Sequence, residues 1–96
     1  MIRIINKRGT GKTKRLLQLA KANNATFVCR DAKSMKLKAH EYGLDGVDII
    51  DYYDALMRGY KPDSSGVFID ELDGFLCSIF GYGGQVKGYS ISEDEI

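Results

Sequence analysis

The stretch at residues 2–22, IRIINKRGTGKTKRLLQLAKA, constrains this chain more than any other. A short apolar run ends in a loop containing Gly9 and Gly11, and the loop enters a segment in which Leu16, Leu17, Leu19 and Ala20 recur at helical spacing. Strand, glycine-rich loop and helix, in that order, make a cradle for an anion. The glycines let the backbone curl so that its N–H groups point inward, and the N-terminus of the helix adds a favourable dipole. A chain built on this unit is expected to bury its strands in a mainly parallel sheet.

The rest of the sequence keeps the alternation. The spacing predicts a strand at 2–5, a helix over 12–22 ended by Asn23 and Asn24, and a second strand, TFVC, at 26–29. Asp31 is the expected N-cap of a helix over 32–42 that Gly43 closes. A third strand, VDII, follows at 47–50, then a brief helix over 53–58 stopped by Gly59, and the loop YKPDSSG opens a fourth strand, VFID, at 67–70. The run ELDGFLCSIF continues as a helix that GYGG breaks, residues 86–91 are a candidate fifth strand, and EDEI is a polar end. The expected fold is a single α/β domain over 1–96, a three-layer sandwich with a mostly parallel sheet of about five strands.

Charge is polarised along the chain. Residues 1–40 hold eleven Lys or Arg against Asp31 alone, net +10; residues 41–96 hold three against twelve acids, net −9, which leaves +1 overall. The plain reading is that the halves neutralise one another on packing. The sharper reading is a basic face for phosphates or for a protein partner, or head-to-tail contact between copies. No stretch is long and apolar enough to span a bilayer, and Arg3, Lys7 and Arg8 interrupt the N-terminus, so a cytoplasmic protein with no membrane contact is expected. Cys29 and Cys77 lie in apolar settings that suggest buried thiols; with His40 as the one histidine, a zinc site is not expected.

Two motifs carry chemistry. In the first, Asn6, Lys7, Arg8, Gly9, Thr10, Gly11, Lys12, Thr13 and Lys14 form the cradle. Lys12 is expected on the β- and γ-phosphates of a nucleoside triphosphate, and Thr13 on Mg²⁺. In the second, GVFIDELD at 66–73, a carboxylate leaves the C-terminal end of a buried strand, the edge at which open α/β sheets bind ligands. Asp70 there suits Mg²⁺, and Glu71 suits the water that attacks the γ-phosphate. The bland alternative is a helix N-cap and a first-turn acid.

With both motifs on the chain, the sequence resembles the P-loop NTPases: NKRGTGKT is similar to Walker A, and VFIDE to Walker B. The adjacent Asp-Glu resembles the branch of helicases, AAA-type ATPases, RecA-like proteins and viral packaging motors. A basic residue before the glycines, with Asn6 where the pattern usually starts with Gly, is similar to the terminase ATPases of tailed phages. The resemblance implies a P-loop NTPase fold, Mg²⁺ and ATP or another nucleoside triphosphate, and a phage or DNA-related role in an infected host's cytoplasm. It also implies an arginine finger, for which Arg8 in the loop is the first candidate and Arg30 and Arg58 are further ones offered to a neighbouring copy.

Lys33, Lys36 and Lys38 would face a nucleic-acid backbone or form an ordinary exposed helix face, the second being the better supported. Tyr52, Tyr53 and Tyr60 would stack on a base or pack locally. The function expected is Mg²⁺-dependent binding of a nucleoside triphosphate with slow or partner-stimulated hydrolysis. The alternative is a nucleotide-binding or regulatory module that binds a partner without turnover.

Overall fold

The computed structural model describes residues 11–59, 61–81 and 86–92. The strand expected at 2–5, the cradle residues Asn6, Lys7, Arg8, Gly9 and Thr10, and Tyr60 lie outside the described residues, as do residues 82–85, which include most of GYGG, and the whole polar end EDEI.

Helix α1 (Lys12–Ala22) starts from Gly11, whose φ of +77° is open to glycine at no steric penalty. Its apolar stripe buries Leu16, Leu17 and Ala20. Asn23 ends it by returning its side-chain amide to the Leu19 carbonyl at 2.7 Å, and Asn24 turns the chain at φ +51°, a conformation that Asn tolerates. Strand β1 (Thr26–Cys29) follows and is buried along its whole length.

Helix α2 (Ala32–Glu41) is capped by Asp31, whose carboxylate accepts from the Ser34 amide at 3.2 Å and from its hydroxyl at 2.9 Å. Strand β2 (Asp48–Asp51) runs into α3 (Tyr52–Arg58), where Asp51 accepts from the Asp54 amide at 2.8 Å. Strand β3 (Val67–Ile69) leads to α4 (Leu72–Ile79). The helices expected at 12–22, 32–42, 53–58 and after Asp70, and the strands expected at 26–29, 47–50 and 67–70, are met within a residue or two; β2 starts one residue late, and Val47 before it packs against the core.

The three strands form one parallel sheet in the order β2-β1-β3. The register sets Phe27 beside both Ile49 and Phe68, so these three and Cys29 share a face. Leu16, Leu17 and Ala20 of α1 and Ala39 of α2 close over that face to make the main core. Complete burial of Phe27, Leu17 and Val28 contributes about 1.5–3 kcal/mol each.

The fifth strand does not form: residues 86–92 carry no strand pairing, and the sheet of the described residues has three strands where about five were expected. Alternation explains this. Val86, Gly88, Ser90 and Ser92 would share one face, which offers a single large apolar group, and on the other Tyr89 and Ile91 are exposed. Gly88 further weakens any strand through it.

All three strands point the same way, so their C-terminal ends deliver Arg30, Asp51 and Asp70 to one edge. The N-terminus of α1 meets that edge.

Candidate functional site at the C-terminal edge of the sheet

Asp70 continues β3 by one rung: its amide donates to the Val28 carbonyl at 2.8 Å, which seats the residue at the end of the central strands. Its side chain is buried, and the Thr13 hydroxyl lies 3.3 and 3.4 Å from the two carboxylate oxygens. Those distances are long for O–H···O, whose usual length is about 2.7–2.8 Å, so the hydrogen bond between them is weak. Burial pushes the Asp70 carboxyl above the ordinary range, the Thr13 hydrogen bond pulls it back, and the Glu71 charge raises it. A carboxylate in that position gains from a cation.

Glu71 is one residue beyond. Its backbone is left-handed, φ +57° and ψ +67°, an uncommon conformation for a residue with a side chain. Its carboxylate meets the Lys12 ammonium at 3.4 Å. The turn is braced from below by Tyr52, a buried residue of α3 whose hydroxyl donates to the Asp70 carbonyl at 2.7 Å and lies 3.1 Å from the Glu71 carbonyl. The Tyr52 ring also packs edge-on against Phe75 of α4, centroids 5.2 Å apart. Burial and the Asp70 charge push the Tyr52 phenol up to about 12, so it is a donor at any ordinary pH.

Thus Lys12, Thr13, Asp70 and Glu71 come together although the two pairs lie far apart in sequence. The α1 N-terminus beside them carries no acid in its first turn, as is also true of α2, whereas α3 has Asp54 and α4 has Asp73 there. Thr13 and Asp70 are hard oxygen donors of the kind that hold Mg²⁺ together with water and phosphate oxygens. No group of three or more His, Cys, Asp or Glu able to hold a metal occurs among the described residues.

Other expected residues fall elsewhere. The Lys14 ammonium stands 5.3 Å from the centre of the Tyr42 ring, a cation–π contact between α1 and the end of α2. Lys33, Lys36 and Lys38 are exposed along α2, and Arg58 pairs with Asp54 at 2.8 Å within α3. Tyr52 packs and bonds internally, so its face is not offered to a base, while Tyr53 is exposed. Cys29 is buried and Cys77 half-buried, both as free thiols. An open cleft of about 410 Å³ lies at the opposite edge, where the Thr26 hydroxyl sits 2.9 Å from Asp48 and 3.1 Å from Ser64, holding the loop before β3.

The bracing role of Tyr52 was not visible in the sequence. Its partners are backbone carbonyls, which leave no side-chain signature; the one available signal was a tyrosine placed directly after a strand end, at the first position of a helix.

Comparison with protein-family models, with curated proteins and with solved structures gave no match. No helix among the described residues is long and apolar enough to cross a membrane.

Proposed function

We propose that this chain binds a nucleoside triphosphate, ATP in the first instance, together with Mg²⁺, and hydrolyses it to the diphosphate and phosphate, slowly or on stimulation by a partner. The observation that carries the reading is the convergence of Thr13, Asp70, Lys12 and Glu71 at one sheet edge, with a hydroxyl facing a buried carboxylate at 3.3 Å and an ammonium facing a second carboxylate at 3.4 Å. The reading includes a fold of P-loop NTPase type, with the cradle running from Asn6 to Thr13.

Each side chain then has a task that its surroundings support. The Lys12 ammonium serves the β- and γ-phosphates, where its charge offsets theirs. Thr13 and Asp70 would hold Mg²⁺, and burial of Asp70 favours that partnership because a nearby cation stabilises the charged form that burial disfavours. Bound Mg²⁺ would neutralise charge on the phosphate oxygens. Glu71 orients a water and takes its proton as that oxygen bonds to the γ-phosphorus and the bond to the bridging oxygen of the diphosphate breaks. The unusual backbone of Glu71 supports the assignment, since such conformations collect at working sites.

A second reading, nucleotide binding without turnover, takes its support from the Lys12–Glu71 pair, which occupies the base. Phosphate release from ATP and from GTP, measured for the wild type beside Lys12→Ala and Glu71→Gln with binding in parallel, separates the two. Release by the wild type alone supports hydrolysis. Binding without release above the variants sinks it, and absence of binding at millimolar nucleotide sinks both readings.

The polarised charge of the chain supports a protein partner or a second copy held by opposite charges. Sedimentation with ATP and Mg²⁺ at low and high salt tests this, and a monomer throughout rules out the second copy.

A further inference from the structure

Strand alternation gives the sheet a second face, opposite the main core: Val28 of β1 with Ile50 of β2 and with Val67 and Ile69 of β3. The chain passes from β1 to β2 in one direction along the sheet and from β2 across to β3 in the other, so right-handed crossovers place α3 on the face opposite α2. Helix α4 joins α3 there through the contact of Phe75 with Tyr52. A parallel sheet is ordinarily covered on both faces, and this one is left partly open. Val28 is buried, but Ile50 and Ile69 are half-buried, Val67 is exposed, and α4 has no buried residue.

Both helices carry apolar stripes that the fold leaves uncovered. On α3, Tyr53, Leu56 and Met57 recur at helical spacing, and on α4, Leu72, Phe75 and Ile79 do so. The helices touch at Tyr52 and Phe75; one turn further along each, Leu56 and Ile79 face solvent. Exposure along the stripes runs from 44 % at Leu72 to 68 % at Tyr53, and Phe80, just past the end of α4, is 66 % exposed. Large side chains open to that degree present several hundred square ångströms of apolar surface. The largest patch on a typical monomer is roughly 300–600 Å², and each partner gives roughly 800 Å² to a standard interface.

Charge selects what can cover this face. On the opposite face, α1 and α2 carry seven Lys or Arg against Glu41, so two copies meeting through those helices would repel. Helix α3 carries Asp54 and Arg58, which pair with one another at 2.8 Å, and α4 carries Asp73 alone. So nearly neutral a patch can lie on its own copy at little electrostatic cost, and a two-fold axis sets apolar stripe against apolar stripe.

We propose that this face is a homodimer interface, in which α3 and α4 of two copies form one layer of four helices between two sheets. Such a dimer rests on the second-copy reading and not on hydrolysis; apolar contact holds it in place of opposite charge, so salt does not loosen it.

The test is sedimentation velocity of the wild type, Leu56→Glu, Ile79→Glu and Leu37→Glu at low and high salt, with thermal melts of each. Leu37 is the control, 65 % exposed but on α2. The wild type and Leu37→Glu should dimerise at both salts with a Kd in the micromolar range or below, and their melting midpoints should rise with protein concentration. A carboxylate placed in the patch is buried twice in a symmetric pair, so Leu56→Glu and Ile79→Glu should weaken association about 100-fold or more and melt independently of concentration. If either of these does not fold, Met57→Glu, at a side chain 66 % exposed, takes its place. A wild-type pair that high salt dissolves, or that the patch variants leave intact, or that Leu37→Glu disrupts equally, overturns the apolar interface while a second copy held by charge stands. Species larger than a dimer overturn the two-fold closure. A wild type that stays monomeric throughout overturns the second copy as well, and phosphate release by that monomer then decides the hydrolase reading by itself.

Discussion

Burial disfavours the charged form of Asp70, and that has a sign that can be measured. Its folded-state pKa is raised above the unfolded value, so the folded chain holds this proton more tightly. Stability of the metal-free protein therefore falls as pH rises from the unfolded value through the raised folded one, and levels off above it. Asp70→Asn should melt higher than the wild type at pH 7 without Mg²⁺, by a margin that shrinks in acid, and Mg²⁺ with nucleotide should raise the midpoint of the wild type alone. Melts at two pH values, with and without Mg²⁺, check this, and a variant less stable at pH 7 contradicts it. Glu71 makes the neighbouring case: with φ at +57°, Glu71→Gly should relieve about 1 kcal/mol of backbone strain while abolishing phosphate release. In a domain of this size that is a rise of about 4–8 °C in a thermal melt. On the far side of the molecule, His40 pairs with Asp45 at 2.9 Å, and that hydrogen bond raises the imidazole pKa. Its small contribution is complete below the ordinary histidine value and lost as pH climbs through the raised one; an NMR titration of Asp45→Asn should return the midpoint to about 6.5.

At the scale of elements, the helices whose boundaries were legible are those with local signals. Helix α1 falls where the leucine spacing and Asn23 put it, and α2 starts where Asp31 can reach Ser34, because both depend on contacts within a few residues. The positions of both pairs, Lys12 with Thr13 and Asp70 with Glu71, were legible for the same reason, as a loop before a helix and carboxylates after a strand. What could not be read was anything decided by the other side of the fold. Residues 86–91 carry β-prone side chains yet find no partner strand among the described residues, and the Tyr52 hydroxyl bonds carbonyls eighteen and nineteen positions away. Tyr52→Phe isolates that brace. It should destabilise by about 1–3 kcal/mol in urea, because a buried carbonyl loses its donor, and should slow phosphate release more than it weakens nucleotide binding. Equal effects on both would mean that the hydroxyl supports the fold and not the turn.

For the whole molecule, the centre is β1, flanked on both sides and covered by two helices on one face. Burial, with Asp70 next in weight, pushes the Cys29 thiol up to about 12, so almost no thiolate exists at pH 8. Alkylation should modify Cys77 first and reach Cys29 only as fast as the sheet opens, which makes the second event a reporter of global unfolding. Simultaneous labelling of both thiols in native buffer would contradict a rigid centre. The contact between Thr13 and Asp70 spans 57 positions, most of the described chain. A ligand held by both would therefore act as a reversible crosslink between α1 and the end of β3: it can form only after β3 has docked beside β1, and neither α1 nor β3 can leave the fold without first letting it go.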